Sequence, residues 1–406
     1  MSGKGPLAGM KVVELAHIMA GPACGLMLAD MGADVIKVEK PTGDDSRRFV
    51  PPEIAGESAA YLMMNRNKRG IALDLKQPEA VQALRDLLAE ADVVIENYRL
   101  GTMEKLGLGY ESLREINPRL VYCEISGFGR TGPYAGRGGF DLIAQGMSGL
   151  MSITGEGPGR PPVKPGAPIT DITAGILAAM GCCAAYAQAR ATGQGQKVDT
   201  SLFEAGITLT YWQSAIAFAT GETPGPVGSA HPLNAPYQAF ETRDGWINVG
   251  AANQQNWLRL LQVIDAPELG EDPRFATNRD RMQNLSALVD LLNDHLRQRD
   301  TADWLERMEA QGLPAGPVLS IPEMQADPQA LARGMIVETE HPIAGRVKGI
   351  GHPVKFSAAE AETATPAPLL GQHGREVLGE LGYASEKIEA LIAAGALICP
   401  ADAVMA

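Results

Sequence analysis

The sequence predicts an α/β protein: a parallel sheet with helices on its faces, followed by a smaller α+β domain. Three observations lead there. Up to Ser126 the chain alternates short apolar, β-branched runs with helix-length segments, and strands separated by helices require right-handed crossovers and parallel pairing. Gly221-Glu-Thr-Pro-Gly-Pro-Val-Gly228 is then a break in composition, read as a hinge or linker. Beyond it, Asp244-Gly245 sits between two strand-like runs, the signature of a tight hairpin, and helical patterns follow.

Taken in order, Met10 to Leu15 reads as the first strand, Gly21 to Met31 as a helix and Asp34 to Glu39 as the second strand. Ile71 to Leu75 is the next strand. A helix from Pro78 to Ala91 follows, with Leu84, Leu87 and Leu88 on one face, and then the strand Asp92 to Glu96. After Leu113 to Asn117 the chain reaches the strand Leu120 to Ser126. Ligands of such sheets gather at the carboxyl ends of the strands, so the loops after Leu15, Glu39, Leu75, Glu96 and Ser126 are where a site is expected. A Gly/Pro-rich stretch, Gly127 to Pro168, precedes a long helix beginning near Asp171. Its apolar run, Ile172 to Ala187, is short for a membrane span and rich in Ala, Gly and Cys, so it reads as a buried helix. The hairpin Gln238 to Gly250 and helices at Trp257 to Val263, Asn284 to Arg297 and Ala302 to Gln311 make a small domain over 226–320, after a large domain over 1–220. From about residue 321 loop, strand and helix signals return, with a helix from His373 to Leu381.

Composition excludes several classes. Hydrophobic residues at 45% and charged residues at 20% are those of an ordinary globular chain, neither disordered nor membrane-embedded. Lys+Arg 35 against Asp+Glu 48 leaves a net charge of −13, and no basic run offers a face to nucleic acid. An anionic small ligand needs only a local basic pocket. The five cysteines form no Cys-x-x-Cys pair and no Cys/His ligand spacing, so neither a metal site nor a disulfide framework is expected, and reduced thiols suit a cytoplasm. The opening Met-Ser-Gly-Lys-Gly-Pro-Leu-Ala-Gly has no apolar signal core.

Among the motifs, Pro168-Ile-Thr-Asp171-Ile-Thr-Ala-Gly175 sets a carboxylate at the start of a nearly uncharged helix. It reads either as an N-cap or as a carboxylate kept ionised in a dry setting and usable as a nucleophile; both readings stay open. The loop His17-Ile-Met-Ala-Gly-Pro-Ala-Cys-Gly25 opens a helix with two glycines, but without the Gly-x-Gly-x-x-Gly spacing of a dinucleotide site. A backbone anion site there is reasonable. Lys37, Lys40, Lys76, Arg99 and Lys105 fall near strand ends, where a phosphate-bearing ligand would need cations. No Gly-x-Ser-x-Gly elbow supports a serine hydrolase.

Gly32-Ala-Asp-Val-Ile-Lys-Val-Glu39, Asn67-Lys-Arg, Leu73-Asp-Leu-Lys76, Val94-Ile-Glu-Asn97-Tyr, Ser126-Gly-Phe-Gly129 and Gly139-Phe-Asp-Leu-Ile-Ala-Gln145 occur in one order. The Asp171 motif, Thr192-Gly-Gln-Gly-Gln-Lys-Val-Asp-Thr-Ser-Leu202, Gly312-Leu-Pro-Ala-Gly-Pro-Val318 and Pro368-Leu-Leu-Gly-Gln-His373 continue it. Together they resemble the class III CoA-transferases, the formyl-CoA and carnitine CoA-transferases of the CaiB/BaiF type. The resemblance implies a Rossmann-like large domain completed by residues 325–406, a small domain between, and two chains interlocked as a homodimer. It implies Asp171 as the nucleophile, forming a mixed anhydride and then an aspartyl-CoA thioester. CoA contacts are implied at His17, Met19, Ala20, Lys40, Leu73, Lys76, Asn97, Tyr98, Arg99, Lys105 and Asp141. Coenzyme A is then substrate, with no permanently bound cofactor, and acyl-CoA and small carboxylic acids are the partners, without membrane or nucleic acid.

Two alternatives share that resemblance: a 2-methylacyl-CoA racemase and a non-catalytic CoA-binding protein. The racemases carry a His directly before the Asp of a Gly-His-Asp motif, where this chain has Gly139-Phe140-Asp141, leaving no imidazole for the α-proton. Gly225 to His231 does not match the Gly-rich flap of the formyl-CoA enzymes. The C-terminal half looks more like succinyl-CoA-dependent, dicarboxylate-using members, with Arg47 or Arg48 as the contact expected for a second carboxylate.

Overall fold

A computed structural model describes residues 5–359 and 364–400. The chain divides into two compact units, one of Met1–Leu150, Pro165–Thr210 and Pro328–Ala406, the other of Met151–Lys164 and Tyr211–Asp327. The first unit begins with β1 (Lys11–Glu14) and β2 (Asp34–Glu39), then a short hairpin of β3 (Glu53–Ile54) and β4 (Glu57–Ser58). It continues with β5 (Lys68–Leu73), β6 (Val93–Glu96), β7 (Val121–Ser126) and β8 (Lys197–Ser201). The second unit holds β9 (Tyr237–Glu241), β10 (Trp246–Gly250) and β11 (Ala315–Pro317). The hairpin of β12 (Ile336–His341) and β13 (Gly345–Ile350), and the edge strand β14 (Leu397–Ile398), return to the first unit.

The main sheet runs β14-β5-β2-β1-β6-β7-β8, with β14 antiparallel to β5 and every other pair parallel. Its inner strands β2, β1, β6 and β7 are buried on both faces, as crossover helices require, while the edge strand β8 is largely exposed. Neighbouring residues therefore serve different cores. Val13, Ile36, Ile71 and Val94 face the helices Pro78–Glu90, Gly374–Glu380 and Ser385–Ala393. Val12, Val35, Val93 and Ile95 face the helices Ala20–Asp30 and Ile169–Thr192. The two-residue period of a strand produces this sorting, and a slip of one residue would exchange the two cores.

In the second unit β9 and β10 form the hairpin expected at Asp244-Gly245, extended antiparallel by β11. Its core gathers Phe240, Ile247, Trp257, Leu260, Leu288, Leu292 and Trp304. Arg281 is fully buried there, its Nε donating to Ala235 O and its Nη1 to Phe275 O.

Three readings of the sequence change. The strand placed at Ile71 starts at Lys68, because Lys68, which looks like a loop residue, is buried against Glu14, and its neighbour Arg69 pairs with Asp34 of the adjacent strand. The Gly/Pro-rich stretch contains the helix Asp141–Met147, and Tyr211–Thr220 forms a helix grouped with the second unit although it precedes the glycine-rich hinge. The helix near Asp171 spans Ile169–Thr192 and is, by length and composition, long and apolar enough to cross a membrane. It packs instead against the helix Ala20–Asp30 and against β7 and β8.

That packing depends on Gly175. A Cβ there would lie 2.7 Å from both Ala20 O and the Ala23 side chain. Backbone on one side cannot retreat, so Gly175→Ala is expected to destabilise the protein by about 1–3 kcal/mol, read as a lower urea midpoint at unchanged slope; an unaltered midpoint would show that the two helices separate freely.

Candidate active site

Strand order reverses between β1 and β6, since β2 and β5 lie to one side and β7 and β8 to the other. A sheet of this kind opens a crevice at its carboxyl edge at that point. The loops after β1 and β6 meet there through a reciprocal pair: His17 N–H donates to Asn97 Oδ1 at 3.1 Å and Asn97 Nδ2 donates to His17 O at 2.9 Å. The Tyr98 ring lies 5.9 Å from the His17 ring. A cavity of about 160 Å³ opens beside them, lined among others by Ala16, His17, Lys40, Asp44, Asp45 and Tyr98.

The β1 loop is held by charges beneath it. Lys37, fully buried in β2, places Nζ 2.9 Å from Glu14 Oε1, 2.8 Å from Asp44 Oδ2 and 2.9 Å from Ala16 O. Lys68 Nζ reaches the other Glu14 oxygen at 2.8 Å, and donates to Pro22 O and Asn65 Oδ1. Burial alone would raise Glu14, but the two lysines outweigh it and hold its pKa below the ordinary value. Lys37 is raised, because its carboxylate neighbours outweigh burial, while burial brings Lys68 down to about 8. Gly25 makes room for this network, since a Cβ there would fall 1.9 Å from Glu14 Oε2. Asp44, held low chiefly by Lys37 against its burial, accepts the Ile18 N–H at 3.1 Å. Ile18 has φ +69°, a left-handed conformation costly for a β-branched residue. The cluster thus enforces a strained loop at the crevice, just before the helix Ala20–Asp30, which starts at Met19 with no side-chain cap.

Asp171 is not an N-cap. Pro168 occupies that position, and Asp171 is the third residue of the helix. No hydrogen bond reaches its carboxylate from the described residues. Burial, and secondarily the charge of Asp141, push its pKa up to about 7, against the pull of the helix N-terminus. Gly175, one turn on along the same face, touches Ala20, which brings the Asp171 end of this helix beside the loop after β1. Asp141 sits at the start of its own helix, accepting Thr170 N–H at 3.0 Å and Thr170 Oγ1 at 2.7 Å.

The structure therefore unites His17, Met19, Ala20, Asn97 and Tyr98 at the crevice, and Asp141 with Asp171's helix. Lys40 is exposed and pairs with Asp45 at 2.7 Å. Leu73 ends β5, buried; Lys76, Arg99 and Lys105 are exposed on loops or helix ends beyond the same strand edge. Lys37 is no phosphate contact, because all its charge is spent inside the fold. Nor is Arg47 free for a second carboxylate: its Nε and Nη2 grip Glu39 at 2.7 Å each, and its guanidinium stacks on Tyr61. Arg48, exposed, pairs with Asp45. Sequence reasoning missed Asp44, Glu14 and Lys68. A lysine flanked by Ile36 and Val38 in a strand was the available signal, because an unpaired charge there is too costly.

A family model for CoA-transferase family III matches residues 7–374, and the chain belongs to that family. It is 39% identical to human succinyl-CoA:glutarate CoA-transferase over 392 residues, 96% of this chain and 89% of that one. It is 42% identical over 385 residues to succinate–glutarate CoA-transferase of Agrobacterium fabrum, covering 93% and 96% of the two chains. A solved CaiB/BaiF family protein from Brucella suis superposes with TM-score 0.84 at 42% identity, covering 93% of this chain and 99% of that one.

Two outcomes follow from this geometry. With Asp171 as the nucleophile its reactive form would be the ionised carboxylate, and a pKa of about 7 leaves about a tenth of it ionised one pH unit below. CoA exchange should therefore rise through about pH 7 and level above it; a profile flat from pH 5 upward would contradict the assignment. Lys37→Met leaves buried Asp44 without its cation and Glu14 with Lys68 alone, and should cost about 3–5 kcal/mol in denaturant unfolding, with any folded fraction binding acyl-CoA more weakly in calorimetry.

Proposed function

We propose that this CoA-transferase moves CoA from succinyl-CoA to a small dicarboxylic acid, with Asp171 as the covalent intermediate. The supporting observation is Asp171 itself: a half-buried carboxylate, without cation or hydrogen-bond donor among the described residues, at the helix end that meets the loop before Ala20. A carboxylate so poorly solvated is a better nucleophile than one in water or in an ion pair. The names of the human and Agrobacterium relatives support succinyl-CoA as donor and glutarate as one acceptor.

Asp171 attacks the thioester carbonyl, and the C–S bond breaks to release CoA thiolate and leave a succinyl–aspartyl anhydride. The thiolate attacks the aspartyl carbonyl, freeing succinate and forming aspartyl-CoA. The acceptor carboxylate then attacks that thioester, and the released thiolate takes the acceptor's acyl group, restoring Asp171. Each addition passes through an oxyanion. Backbone N–H groups at the uncapped start of the helix Ala20–Asp30 are suited to stabilise it. CoA is proposed to lie along the carboxyl edge of the sheet, against His17, Met19, Ala20, Asn97 and Tyr98, with Lys40, Leu73, Lys76, Arg99 and Lys105 toward its nucleotide end. Phe140, exposed and without a titratable group, offers no base for racemisation.

A homodimer is also proposed. The first unit exposes Phe140, Leu142, Ile143, Met147 and Met180, and the second exposes Tyr211, Trp212 and Phe218; apolar surface of that kind favours association with a second copy.

The test is exchange. Purified protein with succinyl-CoA and a panel of free acids should form new thioesters with dicarboxylates, seen by mass spectrometry. Asp171→Ala should lose at least about a thousandfold in rate; retained exchange would remove Asp171 from the chemistry, and preference for formyl-CoA and oxalate would overturn the substrate assignment.

A further inference from the structure

The helix that carries Asp171 begins at a proline, which has no side chain able to accept from the first-turn amides. The missing cap comes from Asp141, 29 residues earlier. Its Oδ1 accepts both the amide and the hydroxyl of Thr170, at 3.0 and 2.7 Å, while its Oδ2 accepts Gln145 Nε2 at 2.7 Å. Thr170 and Gln145 are fully buried. Among the described residues the Oε1 of Gln145 is buried with no hydrogen-bond partner, so the Nε2 contact to Asp141 is the one its side-chain amide makes. The helix Leu202–Thr208 closes the assembly: a Cβ on Gly206 would meet Ser148 Oγ at 2.4 Å and Thr170 Cγ2 at 3.3 Å. Little room is left for Thr170, and hence for the residue after it, to move.

We propose that Asp141 is a positioning residue: its carboxylate, locked by Gln145, caps through Thr170 the helix that presents Asp171. The assignment rests on Asp171 being the nucleophile, and it differs from a direct CoA contact at Asp141. A cap on the first turn fixes where the nucleophile stands, and small errors in the placement of a reacting atom are costly. Asp141 also acts by charge, being the charged group among the described residues that bears on Asp171.

Asp141→Ala and Asp141→Asn separate these roles. In Asp141→Ala, kcat should fall about 10- to 100-fold with KM for succinyl-CoA within about threefold. Asp141→Asn keeps an oxygen to accept from Thr170 and loses the charge. It should recover most of the rate, with the acid limb of the pH profile moved to lower pH, because the neighbour that disfavours ionised Asp171 is gone. A raised KM at unchanged kcat would make Asp141 a substrate contact and overturn the proposal, as would an Asn variant whose acid limb stays in place. Hydroxylamine trapping of wild-type protein with succinyl-CoA, followed by peptide mass mapping, keeps the two ideas apart. Absence of modification at Asp171 sinks the nucleophile and this inference together, whereas modification at Asp171 with a fully active Asp141→Ala sinks this inference alone.

Discussion

Everything at the crevice depends on the contact of Lys37 with Glu14 and Asp44. Two strands and a loop come together on one ammonium that water never reaches, and each carboxylate there does a second task. Glu14 also binds Lys68, tying β1 to β5 across β2. Asp44 also holds the Ile18 amide, and so a left-handed residue, at the mouth of the crevice. Burying such charges is expensive, and well-packed apolar residues are often as stable. What the charges supply here is direction: only particular oxygens at particular places will satisfy Lys37, and those places define the loop from His17 to Met19.

Asp171, the proposed nucleophile, lies in the opposite environment. Around Lys37 opposite charges outweigh the cost of burial, while at Asp171 burial acts with no cation to offset it, and Asp141 adds to it. The ionised state is thereby weakened, which makes the carboxylate reactive once it forms. The two halves of the site are joined by close packing, Gly175 against Ala20, so the rigid loop and the reactive side chain keep one spacing.

Much of this was legible in the sequence. Alternation of strand and helix located the sheet and marked the loops at its carboxyl edge, and the family resemblance, not the periodicity, pointed to Asn97 and Tyr98 within them. Asp171 could be singled out, but not its place in the helix, because capping by a residue 29 positions away leaves no local mark. The charges misled for a similar reason. Lys37, Lys40 and Arg47 are equally plausible as phosphate or carboxylate contacts when each is read alone, and only their pairing in the folded chain reveals that Lys37 and Arg47 are internal struts. The helix Asp141–Met147 hid among glycines and prolines that serve close backbone approaches, such as Gly127 against Gly139, where added Cβ atoms would fall 2.5–2.6 Å from backbone.

The central claim is that acyl groups pass through the Asp171 carboxylate, and oxygen exchange tests it most directly. With an acceptor dicarboxylate labelled with heavy oxygen in both carboxylates, each turnover through the anhydride and aspartyl-CoA leaves one acceptor oxygen on the enzyme. The account predicts heavy oxygen in the peptide carrying Asp171 and in no other. Turnover that leaves this peptide unlabelled, or that labels a different carboxylate, would contradict it.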